Sequence, residues 1–265
     1  MDIKKYMAID GEKPLDTIKP DGGFSAIFRT IACVGDSLSS GEFESVDPVT
    51  GERGYHDMFE YSWGQFIARA TGAKVYNFSR GGMTANVYMN GWAEGMGYFD
   101  PEKAAQAYII ALGANDVINQ GQPFGSVDDI DPDDPSKNKP TFAGYYSAII
   151  QKYKEISPDA RFFLVTMPRV TENADTPADG LRCQHAELLC EIAKKFSRTY
   201  VIDLFRYAPV YDEEFQHYFG LHGHMDPAGY LLTAEMMMSY IDYIIRNDPR
   251  AFAEVGFIGT PYHTH

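Results

Sequence analysis

The stretch Thr30-Ile31-Ala32-Cys33-Val34-Gly35-Asp36-Ser37-Leu38-Ser39 decides how this chain is read. Its uncharged, mostly apolar first half predicts a buried strand over Thr30–Val34 that stops at Gly35 and gives way to a polar turn. Outward from it, short apolar runs alternate with helical patterns. Lys74–Phe78, Ala107–Leu112, Arg161–Thr166 and Tyr200–Leu204 read as further strands, and Trp63–Ala70, Phe142–Ile156, Leu181–Phe196 and Pro227–Ile245 as helices. Pro227 suits the first turn of the last helix, where its missing N–H costs nothing. Apolar strands about 30–45 residues apart with helices between them predict a parallel sheet covered on both faces. The expected fold is therefore α/β, a three-layer α/β/α sandwich on a five-stranded parallel sheet. It forms one domain over 1–265, with its core at about 28–245.

Composition agrees. The chain has 265 residues, 45% hydrophobic and 23% charged, which excludes disorder, collagen-like repeats and a coiled coil. With 23 basic against 37 acidic side chains the net charge is −14, and no basic patch offsets it, so a nucleic-acid partner is not expected. The acidic run Asp128, Asp129, Asp131, Asp133 and Asp134 lacks the glycine and terminal glutamate of a calcium loop and reads as a solvated loop. Three cysteines make no disulfide framework: Cys33 reads as a core residue, Cys183 and Cys190 as residues on one face of a helix. No apolar run of membrane-spanning length and no leader pattern is visible. A cytoplasmic protein with no membrane partner is expected, or a secreted one if a leader has been removed. The oligomeric state is left unspecified.

In a parallel sheet of this kind, chemistry gathers beyond the carboxyl ends of the strands. Four segments fall there. They are Gly35-Asp36-Ser37-Leu38-Ser39, then Asn77 to Gly81-Gly82-Met83-Thr84, then Gly113-Ala114-Asn115-Asp116, and finally His222-Gly223-His224-Met225-Asp226-Pro227 before the last helix. This ordered set resembles the SGNH hydrolases, the GDSL esterase/lipase family, whose four blocks carry Ser, Gly, Asn and His. The first block is similar to Val34–Ser39, the second to Asn77 with Gly82-Met83-Thr84, the third to Gly113–Asp116, and the fourth to His224 with Gly229-Tyr230. The resemblance spans about residues 28–245. The α/β-hydrolase elbow Gly-x-Ser-x-Gly is absent, because residue 39 is Ser.

Elementary ester chemistry assigns the same residues. An ester carbonyl needs a nucleophile, a base for its proton and donors for the oxyanion. Ser37 is the expected nucleophile and His224 its base, later the acid to the leaving alcohol. The backbone N–H groups of Ser37 and Gly82 and the side-chain amide of Asn115 would form the oxyanion hole. The resemblance implies an acid three residues before the histidine, but Leu221 stands there. A backbone carbonyl near Leu221 or His222 would give a Ser–His dyad; Asp226, Asp212 or Asp203 would supply a carboxylate instead. Asp36, Arg80, Asp116 and His222 are candidates for the substrate pocket. Trp63, Tyr88, Trp92, Tyr98 and Phe99 read as packing residues rather than a substrate wall, and the segment 119–139 as a rim or lid.

A serine esterase follows, acting on O-acyl esters through an acyl-enzyme, with a carbohydrate O-acetyl or other short-chain acyl ester as the small-molecule substrate. No metal or other cofactor is expected. The alternatives are a non-catalytic glycan- or acyl-binding relative and a metal-dependent hydrolase built on His222 and His224.

Overall fold

The computed structural model describes residues 3–7, 9–173 and 176–262. Its strands are β1 (Thr30–Gly35), β2 (Glu42–Val46), β3 (Arg53–Asp57), β4 (Lys74–Ser79), β5 (Ala107–Ala111), β6 (Arg161–Val165), β7 (Thr199–Ile202), β8 (Gly220–Leu221) and β9 (His224–Met225). The main helices are α1 (Ser37–Ser40), α2 (Trp63–Thr71), α3 (Phe142–Ile156), α4 (Pro177–Lys195), α5 (Leu204–Tyr207), α6 (Glu213–Phe219) and α7 (Pro227–Asn247). Five strands form one sheet in the order β4-β1-β5-β6-β7, all parallel, as expected. Two antiparallel hairpins, β2–β3 and β8–β9, stand outside it.

Alternation along each strand divides the core in two. Ile31, Cys33, Ile109 and Phe163 pack with Trp63 and Ile67 of α2 and Met236, Met237 and Ile241 of α7. Ala32, Val34, Ile110 and Phe162 face the other way, onto Tyr146, Ile149 and Tyr153 of α3 and Leu189 and Ile192 of α4. These two apolar layers are the physical content of the three-layer sandwich. Among the described residues no helix is long and apolar enough to cross a membrane.

Most elements lie within a few residues of their expected bounds. Two differ for local reasons. The strand expected at Tyr200–Leu204 ends at Ile202, because the Asp203 carboxylate accepts the Arg206 N–H and starts α5 at Leu204. The helix expected from Leu181 begins at Pro177, capped by the Thr176 hydroxyl with proline in its first turn. The hairpin β2–β3 carries no strong apolar alternation and lies outside the sequence expectation.

Phe163 lies in the interior of β6, fully buried, edge-on to Phe28 and stacked on Tyr200. Phe163→Ala should lower the unfolding free energy by about 3–5 kcal/mol, read from urea denaturation. A change below about 1 kcal/mol would contradict this packing.

Candidate active site

The strand ends are in register. Gly35 pairs with Ser79 on one side and with Ala111 on the other, so the segments after β1, β4 and β5 leave the sheet side by side. Gly35 has no space for a side chain: a Cβ there would lie 2.0 Å from Ser39 Oγ and 2.9 Å from the Ala111 carbonyl oxygen. The backbone therefore turns tightly into α1. Asp36 caps that turn by accepting the Leu38 N–H at 3.1 Å, which leaves Ser37 as the first helical residue.

After β4, Asn77 Oδ1 accepts the Ser79 N–H at 2.9 Å, and the loop then passes through Gly82 at φ +71°. No atom would crowd a Cβ at Gly82, so its need for glycine is conformational. After β5, Asn115 donates to the Met83 carbonyl at 3.2 Å, with a longer 3.5 Å contact to Asp36, while its Oδ1 accepts from Asn119 at 2.8 Å. Its amide plane is thus held by three segments.

His224 arrives from elsewhere. The β8–β9 hairpin turns through His222 and Gly223, both at positive φ, and sets His224 opposite Leu221. Its ring stands edge-on to Tyr55, with centroids 6.5 Å apart. Ser37, Gly82, Asn115 and His224 all line one cleft of about 610 Å³, together with Asp36, Glu42, Tyr55 and Asn119. A more apolar cavity of about 270 Å³ borders it, sharing Asp36, Leu38, Ala114 and Gly223, with Trp63, Val165, Met225 and Met237 deeper in its wall.

Of the expected pocket residues, only Asp36 reaches the cleft. Arg80 is exposed and lies over the Trp92 ring at 5.1 Å. His222 is exposed at the hairpin turn. Asp116 is fully buried, where its Oδ1 accepts the Ala85 N–H at 2.8 Å and ties the third segment to the second. Trp63 and Tyr88 are buried in the core, as expected of packing residues. From the segment 119–139 only Asn119 lines the cleft. Phe124 of that segment packs edge-on against Phe142, and Asn138 donates to Gln151, so it is fastened to α3.

The three aspartates considered for orienting His224 are engaged elsewhere. Asp226 caps α7 through the Gly229 N–H, and Asp212 caps α6 through the Phe215 N–H. Asp203 caps α5 and accepts the Thr166 hydroxyl. No backbone carbonyl accepts from His224 Nδ1, which is buried without a hydrogen-bond partner. The carboxylates that face the ring are Glu42, with Oε1 3.1 Å from Nε2, and Glu44, with Oε2 3.9 Å from Nδ1. Sequence reasoning missed both. The available signal was Glu42-Phe43-Glu44, two acids spaced to share one face of a strand. Among the described residues no group of three or more His, Cys, Asp or Glu side chains is arranged to hold a metal ion.

The profile of the GDSL-like lipase/acylhydrolase family matches residues 33–232. No curated protein sequence matches the chain. Among solved structures, a family two carbohydrate esterase from Clostridium thermocellum, in complex with cellohexaose, superposes with a TM-score of 0.59 at 19% identity, over 88% of this chain and 66% of that one. An acetyl xylan esterase gives 0.54 at 16% identity over 80% and 99%. A putative lipolytic protein of the G-D-S-L family from Desulfitobacterium hafniense gives 0.52 at 16% identity over 80% and 99%. At these identities the likeness is one of fold.

Burial pushes the Asp36 carboxyl up to about 7, helped by the nearby Asp116 and Glu42 charges and opposed by the Leu38 N–H. Burial likewise raises Asp116 to about 6 against the Ala85 N–H. A raised carboxyl favours folding in its protonated form. That stabilisation is complete below the ordinary aspartate range near 4 and is lost as pH rises through about 6 to 7. Thermal stability should fall from pH 5 to pH 8. Asp116→Asn, which keeps the acceptor for Ala85, should remove about 1.4 kcal/mol of that fall. An unchanged difference in Tm between the two pH values would rule this out.

Proposed function

Because this chain belongs to the GDSL-like lipase/acylhydrolase family and is an ester-bond hydrolase, we propose that it is a serine esterase working through an acyl-enzyme. The observation that carries the reading is the convergence of Ser37, Gly82, Asn115 and His224 on one cleft at the carboxyl edge of the sheet. Ser37 Oγ attacks the carbonyl carbon and its proton passes to His224. The carbonyl π electrons move onto oxygen, where the N–H groups of Ser37 and Gly82 and the Asn115 amide receive the charge. As the tetrahedral intermediate collapses, the C–O bond to the alcohol breaks and His224 returns the proton to that alcohol. Water, deprotonated by the same base, then releases the acid and restores Ser37.

The substrate we favour is an acetylated carbohydrate or another short-chain acyl ester. Asn119 and the 59%-exposed Tyr55 ring give the cleft wall polar and flat surfaces suited to a hydroxylated alcohol half. The bordering apolar cavity suits the acyl half. Acidic side chains in the wall disfavour an anionic substrate. Two of the fold relatives carry carbohydrate-ester names, which supports the same class.

Hydrolysis of p-nitrophenyl acetate and release of acetate from acetylated xylo-oligosaccharides test the reading. Ser37→Ala and His224→Ala should each lower kcat/KM by about 10³-fold or more, and a chelator should leave the wild-type rate unchanged. Activity that survives loss of Ser37 would sink the mechanism, and chelator-sensitive activity would favour a metal-dependent hydrolase.

A further inference from the structure

The geometry points to Glu44, on the strand that follows the nucleophile segment, as the positioning residue that orients His224 through Nδ1. The inference rests on the reading of His224 as the base and supplies the group that Leu221 cannot. It begins from an orphan: His224 Nδ1 is buried and has no hydrogen-bond partner. A buried ring nitrogen without a partner is costly, and the carboxylate oxygen that faces it is Glu44 Oε2 at 3.9 Å. Closing that gap requires about 1 Å of side-chain movement, and such bonds are often long before substrate binds.

Glu44 is built for the task. Its side chain is only 4% exposed, and its Oε1 is paired with the Arg53 guanidinium while Oε2 faces the ring. Main-chain pairing with Tyr55 across the β2–β3 hairpin fixes its place, and Tyr230 Oη donates to the Glu42 carbonyl at 2.7 Å and anchors the start of the strand. With Nδ1 bonded to Glu44 and Glu42 drawn away from Nε2, from which its Oε1 now lies 3.1 Å, the ring proton sits on Nδ1 and the lone pair on Nε2, the tautomer that can receive a proton from Ser37.

Glu42 cannot fill this role, although it is nearer. Its Oε1 lies 3.1 Å from Nε2, the nitrogen that must serve the nucleophile, so it occupies the working face of the ring rather than the back. A Cβ on Gly81 would lie 1.9 Å from Glu42 Oε2, so the absence of a side chain at Gly81 is what admits this carboxylate to the cleft. The two glutamates therefore bracket one imidazole with different consequences, and they can be separated by experiment.

The test compares wild type, Ser37→Ala, Glu42→Gln, Glu44→Gln and Glu44→Asp, each checked for cooperative melting. The first readout is p-nitrophenyl acetate kinetics and the second the downfield imidazole Nδ1–H resonance in protein with ¹⁵N-labelled histidine. Glu44→Gln should lower kcat by about 100-fold or more with KM within about threefold, because the glutamine amide favours the wrong tautomer. Glu44→Asp should recover part of the loss, and Glu42→Gln should cost less than about tenfold. The Nδ1–H resonance should persist in Ser37→Ala and move upfield or vanish in Glu44→Gln. Kinetics within threefold of wild type for Glu44→Gln, or an unmoved resonance, overturns the assignment while leaving the serine mechanism intact. A large loss in Glu42→Gln overturns it in the same way. Full activity in Ser37→Ala would instead overturn the serine reading, and the resonance alone would then decide the Glu44–His224 pairing. If Glu44→Gln does not fold, Glu44→Asp carries both readouts: it should lie below wild type in kcat with a shifted resonance, and wild-type values in both overturn the assignment.

Discussion

Strand β1 is paired on both edges and buried on both faces, and its last residue has no space for a side chain. That constraint governs the rest. A chain leaving such a strand can move only beyond the sheet edge, and the contact of Gly35 with Ser39 and the Ala111 carbonyl obliges it to coil at once. Asp36 is then drawn under the turn as its cap, and Ser37 is lifted to the cleft. Because Ser79 and Ala111 end level with Gly35, the Gly82 loop and the Asn115 turn emerge on either side of that serine. Register, more than any single contact, brings the proposed oxyanion donors beside the proposed nucleophile.

The same packing places carboxyl groups where ionisation is costly. Asp36 in the cleft wall and the fully buried Asp116 are each bonded to a backbone N–H of a segment that shapes the cleft. Burial raises both carboxyls above the ordinary aspartate range, so each is more readily neutral than a free aspartate while still accepting its backbone N–H. Repulsion between an oxyanion and a nearby carboxylate would weaken the hole, so burial here serves both the architecture and the proposed chemistry.

Wherever residue type and local pattern decide the outcome, the sequence was legible. The parallel sheet could be read because fully buried strands are continuous apolar runs such as Ala107–Ala111, and helices such as Phe142–Ile156 carry their own periodicity and caps. The four strand-end segments could be read because topology carries them to one edge. The β2–β3 hairpin was hidden, since its exposed residues between Glu42 and Asp57 alternate weakly and the strand pairs only with its neighbour. Asp226, Asp212 and Asp203 were attractive as orienting acids for the very reason that occupies them. Each stands just before a helix, where an aspartate caps. Side-chain direction at Arg80 and His222 was beyond sequence reading, because both sit in turns whose outward aim depends on tertiary packing.

The location of the proposed orienting carboxylate follows from the way His224 is delivered. A two-residue turn at His222-Gly223 makes Leu221 the cross-strand partner of His224 within a hairpin only two residues deep. Leu221 is half-buried and faces His224 across this hairpin with an aliphatic side chain that can accept no hydrogen bond. β2 passes His224 with Glu42 and Glu44 two residues apart on one face, and its start is anchored by Tyr230. A carboxylate from β2 reaches the ring without entering the core, and it arrives on the same piece of chain that carries Ser37. The proposed nucleophile and the positioning acid are then separated by one turn and one half of a strand. Small changes in the hairpin would move Glu44 relative to His224 while leaving the sheet, and with it the proposed oxyanion donors, in place.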